Sequence, residues 1–378
     1  MTLRRALAFV LVLAALGAPC AARQVGAQGS PPFDELARRA DAARAAGRLE
    51  EAAGLYRRAL AARPGWTDGL WALGTIAYER SDFAECRDAL SRLVALRPKA
   101  APAWALRGLC EFETGPLAAS REHLERGLAL GLPPSEDLGR AALYHQALAL
   151  VREGQFDAAI APLRTILKFQ AATPELETAC GLVLLRRPLL PAAVPAGETA
   201  SVAAAGDAYC AHLARHPEEA VKLFRALIAA HPKERYLRYG CGLALAQQGS
   251  AEALELYRQE VALFPDDVLA RVELAFGLLA QGKQQEALEP AREAARLAPG
   301  LFVTRFVLGR ALVATGALAE GIAELEAAAA REPRVAAIQL ALARAYQQAG
   351  RPADAARARA AFQALEPPPA AAGAAKAP

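Results

Sequence analysis

The sequence predicts an all-α solenoid, on three observations: a ladder of prolines at one spacing, glycines at a fixed offset before four of them, and an alanine-rich apolar composition. The prolines are Pro64, Pro98, Pro232, Pro265, Pro299, Pro333 and Pro367, separated by 34, 134, 33, 34, 34 and 34 residues. Because 134 is two short of four times 34, one period runs through the whole ladder with a disturbed middle. A fixed period of this length is the signature of stacked helical repeats, each unit closed by a residue that cannot continue a helix. Of 378 residues 54% are hydrophobic but only 6% aromatic. The interior must therefore be built by close approach of small side chains, which favours stacked helices over a sheet.

Each period has the same layout. An apolar-periodic stretch leads to a glycine or polar turn, then a second stretch with a small residue near its start, then the proline. Gly47, Gly282, Gly316 and Gly350 stand 17 residues before a ladder proline, where one helix must end and the chain reverse through a left-handed backbone. Five residues later come Ala52, Ala287, Gly321 and Ala355, small enough for paired helices to touch. Four further on in the period, Tyr56, Leu90, Phe224, Tyr257 and Leu325 supply bulk.

This arrangement resembles the tetratricopeptide repeat (TPR), whose pattern runs Trp-x-x-Leu-Gly-x-x-Tyr, then Ala, an aromatic and Pro. Leu73-Gly74, Leu308-Gly309 and Tyr346 match it, and with the ladder the resemblance covers nearly all of residues 33–367. Units close at Pro64, Pro98 and about Leu132, a fourth spans 138–172, and five more close at Pro232, Pro265, Pro299, Pro333 and Pro367, about nine in all. The resemblance, to a bacterial exported member of the family, implies a right-handed α-solenoid whose first helices line a concave face where peptide ligands lie. Carried over by position, that face holds Trp71, Tyr78, Leu109, Phe112, Tyr144, Leu148, Tyr236, Tyr239, Val272, Phe276, Phe306, Arg310 and Arg344. Aromatic residues and arginine dominate binding hot spots, although each of these side chains equally suits the space between helices. Chaperone-binding members grip a C-terminal carboxylate with Lys and Asn. Here one equivalent row reads Trp71, Ala105, Tyr144, Tyr239, Val272 and Phe306, so that clamp is absent and an apolar or amphipathic segment is the expected ligand.

Along the chain, residues 1–27 read as a signal peptide: Arg4 and Arg5, the apolar run Ala6 to Ala18, then Gly17, Pro19 and small residues. The run is too short for a comfortable membrane span, and cleavage after Ala22 or after Ala27 fits equally. Pro19 stands where a lipoprotein signal needs a small residue before Cys20, so an ordinary cleaved signal is expected. A linker over 28–32 precedes an N-terminal sub-array over 33–185. Pro188, Pro191 and Pro195 make 186–206 an irregular connection. It is either a degenerate joint between sub-arrays or a gate in which Leu189, Leu190 and Val194 fold over the groove. A C-terminal sub-array follows over 207–367, and 368–378 is a low-complexity tail expected to be disordered.

Forty-four Lys and Arg face 40 Asp and Glu, with signs mixed along the helices, so no nucleic-acid partner is indicated. No phosphate loop, nucleophile elbow, zinc-protease helix or paired CxxC occurs. The repeats leave no room for a catalytic domain, and neither enzyme activity nor a cofactor is expected. His212 and His216 have the spacing of two metal ligands but make no site; an exposed helix end before Pro217, favoured by the helix dipole, is the expected setting. After cleavage Cys86, Cys110, Cys180, Cys210 and Cys241 remain, most expected as buried thiols, with Cys86 and Cys110 on consecutive helices the pair to test for a disulfide.

The expected function is that of an exported, periplasmic or envelope-located adaptor that binds a protein or peptide segment and scaffolds a complex. The alternatives are a glycan-binding accessory of an envelope enzyme, since aromatic clefts also suit sugars, and a structural spacer. The oligomeric state is open.

Overall fold

A computed structural model of the chain describes residues 32–365; the expected signal segment and the tail from 368 lie outside them. Among the described residues every regular element is helical: nineteen α-helices and one short 3-10 turn, with no strand. The chain is an α-solenoid divided into two compact units that meet at His216 and Pro217.

The first unit holds α1 (Phe33–Ala45), α2 (Leu49–Ala62), α3 (Thr67–Glu79), α4 (Phe83–Leu96), α5 (Ala101–Thr114), α6 (Leu117–Ala129), α7 (Asp137–Arg152), α8 (Phe156–Ile166), α9 (Pro174–Leu184), the 3-10 turn (Pro191–Ala193) and α10 (Thr199–Leu213). Five successive antiparallel pairs result, α1 with α2 through α9 with α10. The second unit starts with α11 (Pro217–Ala230), followed by the pairs α12 (Leu237–Gln247) with α13 (Glu252–Leu263), α14 (Val268–Ala280) with α15 (Gln284–Leu297), α16 (Phe302–Ala314) with α17 (Leu318–Arg331), and α18 (Ala336–Gln348) with α19 (Pro352–Leu365).

The repeat columns read from the sequence become packing columns. Arg63, Arg97, Phe264, Ala298 and Glu332, each just before a ladder proline, leave the helix with φ between −128° and −136°, because the proline ring denies the preceding residue the helical region. Turn positions have positive φ: 70° at Gly47 and Gly350, 72° at Gly282, but also 60° at Ser81 and 66° at Arg215. Ala52, Ala287 and Ala355 are completely buried, as are Cys86 and Ser120 in the same column. The bulky column, Tyr56, Leu90, Phe224, Tyr257 and Leu325, is buried too. It explains the Leu-Gly motif: a Cβ on Gly74 would lie 2.8 Å from Leu90 Cγ, and one on Gly309 2.7 Å from Leu325 Cγ. In these pairs the first helix thus gives up a side chain so that the second can fill the space between them.

The structure corrects the expected organisation of the middle of the chain. The irregular residues after Leu184 join α9 to α10, two helices packed on each other, so they sit inside one pair; α10 already begins at Thr199, within the stretch expected to be irregular. The crossing is close enough that a Cβ on Gly206 would fall 1.6 Å from Glu177 O and one on Gly181 2.0 Å from Val202 O. Arg152 donates to Pro188 O at 3.2 Å, Arg186 pairs with Asp157 at 2.7 Å and Arg187 pairs with Glu198, which ties the segment to its own unit. Leu189, Leu190 and Val194 are half-buried. The repeat closed by Pro232 therefore contributes a single helix, α11, to the second unit.

Candidate protein-interaction face

In both units the first helices of successive pairs pack on one another more closely than the second helices do: α3 on α5, α5 on α7 and α7 on α9, then α14 on α16 and α16 on α18. Within each unit these first helices form a crowded layer, and eleven of the thirteen residues expected to bind lie on them; Tyr239 is on α12 and Tyr236 is the residue before it.

Leu109, Tyr144, Leu148, Val272 and Phe306 are buried, between 1% and 8% exposed, and shape the layer from below. Trp71 and Tyr78 are half-buried against the core of the first unit, with Tyr78 edge-on to Phe83 at 5.9 Å. Phe112 of α5 and Tyr144 of α7 both meet the ring of His145 edge-on, at 4.9 and 5.3 Å, joining two repeats through an imidazole. His145 Nδ1 lies 2.8 Å from Ala141 O, a partner that can only accept, so that nitrogen carries the proton. Burial raises the Glu79 carboxyl on the same layer, against the pull of Arg44.

In the second unit Tyr239 stands between Tyr236 at 6.4 Å and Tyr257 at 6.3 Å. Tyr236 precedes α12 with φ 70°, a left-handed backbone on a bulky residue. Its N–H donates to Glu260 Oε1. Phe276 and Phe306 lie 5.7 Å apart, and one guanidinium, that of Arg310, sits over both rings at 5.4 and 5.8 Å. Arg310 and Arg344 are exposed.

Several features were illegible as a site in the sequence. His145 had one signal available, its place beside Tyr144. A second is Glu111, 3% exposed, which accepts from Arg107 at 2.9 Å and meets His123 Nδ1 at 2.5 Å, with His123 stacked on Trp104 at 5.2 Å. On the other side of the first unit, a depression of about 620 Å³ runs between α2 and α4, where Arg57 and Glu85 pair with each other.

His212 is not at an exposed helix end as expected: it is 8% exposed and stacked on Tyr209 at 5.6 Å, and burial pushes its pKa down to about 4. His216 is exposed. Among the described residues no group of three His, Cys, Asp or Glu side chains could hold a metal. Cys86 of α4 and Cys110 of α5 form a disulfide across consecutive pairs, with Cα atoms 6.2 Å apart. Cys180, Cys210 and Cys241 are buried thiols. No described helix is long and apolar enough to cross a membrane.

A stack of helix pairs at one period, closed by prolines and presenting its first helices as a side-chain row, belongs to the class of helical repeat scaffolds. Family models of the tetratricopeptide repeat match residues 43–110, 141–169, 214–253 and 244–301. The chain is a tetratricopeptide-repeat protein, a member of a class of protein-interaction scaffolds. No curated protein matches it. Solved structures similar to parts of it include MamA from Desulfovibrio magneticus RS-1, at 21% identity over 39% of this chain and 85% of that one with a TM-score of 0.37. MamA MSR-1 is similar at 23% identity over 44% and 96%, TM-score 0.38, and MamA AMB-1 at 25% over 41% and 92%, TM-score 0.36.

Proposed function

We propose that this protein is an exported adaptor that holds a partner's apolar or amphipathic segment along its first-helix layer and assembles a complex outside the cytoplasm, without chemistry of its own. One observation carries the binding reading. The first helices keep Trp71, Tyr78, Phe112, Tyr239 and Phe276 half-buried, held from beneath but with surface left over, which is the state of a hot-spot side chain before its partner arrives. Export is supported by the signal-like order of residues 1–27 and by the Cys86–Cys110 disulfide, a bond that persists in oxidising compartments.

The test is crosslinking in the native cells followed by purification of the chain, comparing wild type with a Trp71→Ala, Tyr78→Ala, Phe112→Ala, Tyr239→Ala variant of unchanged helicity. A defined protein recovered with wild type and lost with the variant is the expected result. Equal recovery by both moves binding off this layer; recovery of no protein by either contradicts an adaptor. The same material reads the export claim, since an N-terminus after Ala22 or Ala27 is expected and an uncleaved chain in the cytoplasm contradicts it.

A further inference from the structure

The second unit's first helices carry two positive charges that no carboxylate among the described residues neutralises. Phe276, Arg310 and Arg344 occupy the same place in three successive repeats, each 34 residues from the next. Among the described residues every ion pair of the second unit lies elsewhere, and neither Arg310 nor Arg344 meets a carboxylate. Burial pushes the Arg310 guanidinium down from its ordinary range and the charge of Arg344 adds to that, so the two cations oppose each other. Glu273 on α14 is no counter-ion: its carboxyl is raised by burial alone. Yet Arg310 is held in place, its guanidinium over the rings of Phe276 and Phe306. A ring face steadies a cation through its quadrupole and leaves the in-plane N–H edges of the guanidinium open to a planar anion.

We propose that this patch receives an acidic peptide segment of the partner, with Asp or Glu side chains on Arg310 and Arg344 and apolar neighbours on Phe276. The proposal deepens the adaptor reading and rests on it. Charge complementarity selects the occupant, since two guanidinia without counter-charge, one of them fixed over ring faces, favour a ligand that brings carboxylates. The chain's own C-terminal residues do not qualify, because 366–378 hold one acidic side chain, Glu366, beside Lys376.

The experiment measures binding of short, blocked peptides to the whole chain: one mixing Glu with Leu and Phe, one with Gln in place of each Glu, and a single-stranded oligonucleotide for comparison. The acidic peptide is expected to bind about tenfold more tightly than its Gln counterpart, an advantage that Arg310→Gln or Arg344→Gln removes and added salt erodes. Equal affinity of the two peptides, or an acidic preference that survives both substitutions, overturns the proposal. So does oligonucleotide binding with the same arginine dependence, which would assign the patch to nucleic acid. Self-association of wild type that Arg310→Gln abolishes would give the surface to a second copy and also overturns it. The adaptor reading is judged separately, by the partner lost on substitution of Trp71, Tyr78, Phe112 and Tyr239; if that loss occurs while the peptides show no acidic preference, only the present inference fails.

Discussion

At the scale of single residues, two positions are held against their intrinsic preferences. Glu260 is wholly buried, keeps one oxygen on the Tyr236 N–H and leaves the other without a hydrogen bond. Burial pushes its pKa up to about 7. A carboxyl raised on folding holds its proton where the unfolded chain has lost it, so its contribution is complete below the ordinary glutamate range and is lost as pH rises through about 7. Glu260→Gln keeps the acceptor without the charge. It is expected to be more stable than wild type above pH 7 by on the order of 3 kcal/mol, with the advantage vanishing at acid pH; urea titrations across that range check it, and a constant difference contradicts it. Ser81 takes the turn position that Gly47 and Gly282 occupy in other repeats, at φ 60°. Its side chain is exposed, so Ser81→Gly relieves the left-handed backbone without opening a cavity, and thermal unfolding should show a gain of about 1 kcal/mol.

At the scale of elements, each repeat uses devices that recur. Trp104 Nε1 donates to Pro98 O at 2.9 Å, Arg271 Nη2 to Pro265 O at 2.9 Å and Arg305 Nε to Pro299 O at 3.2 Å, so a side chain six residues after a ladder proline binds the carbonyl that the proline exposes. Second helices are laced to the next by Arg57 with Glu85, Arg225 with Glu252 and Arg258 with Glu286, at spacings of 28, 27 and 28 residues. Such surface pairs set register more than stability. The α9–α10 pair departs from the pattern: its helices meet backbone to backbone at Gly181 and Gly206, with no bulky column between them. A methyl at Gly206 would strike the Glu177 carbonyl. Gly206→Ala should therefore cost on the order of 3 kcal/mol, whereas Gly197→Ala, with open space around its Cβ, should be nearly neutral. Equal effects of the two would contradict the close crossing. Why the sequence hid this pair is plain from the residues: Pro188, Pro191 and Pro195 spoil the expected second helix, and the partner of α9 comes only after them, off the 34-residue period.

At the scale of the whole molecule, the periodic columns were legible because turn, small, bulky and proline residues each have one structural job repeated many times, so weak signals at single positions add up. The first-helix layer was legible only as a set of positions. Whether a side chain there ends as core, like Leu109 and Val272, or keeps open surface, like Trp71 and Arg310, depends on the neighbouring repeat, which periodicity does not reveal. His212 failed too: it lies buried and stacked on Tyr209, with Arg164 of α8 near it, surroundings that the ladder did not show. The central proposal is that partners are held by first helices. The most direct measurement places a photo-crosslinking amino acid at Tyr78 or Tyr239 on that layer, and at Leu96 or Leu263, exposed at the ends of second helices, then irradiates the native cells. A discrete crosslinked protein from Tyr78 and Tyr239 but not from Leu96 and Leu263 is the predicted result; the same product from all four positions, or from Leu96 and Leu263 alone, would contradict it.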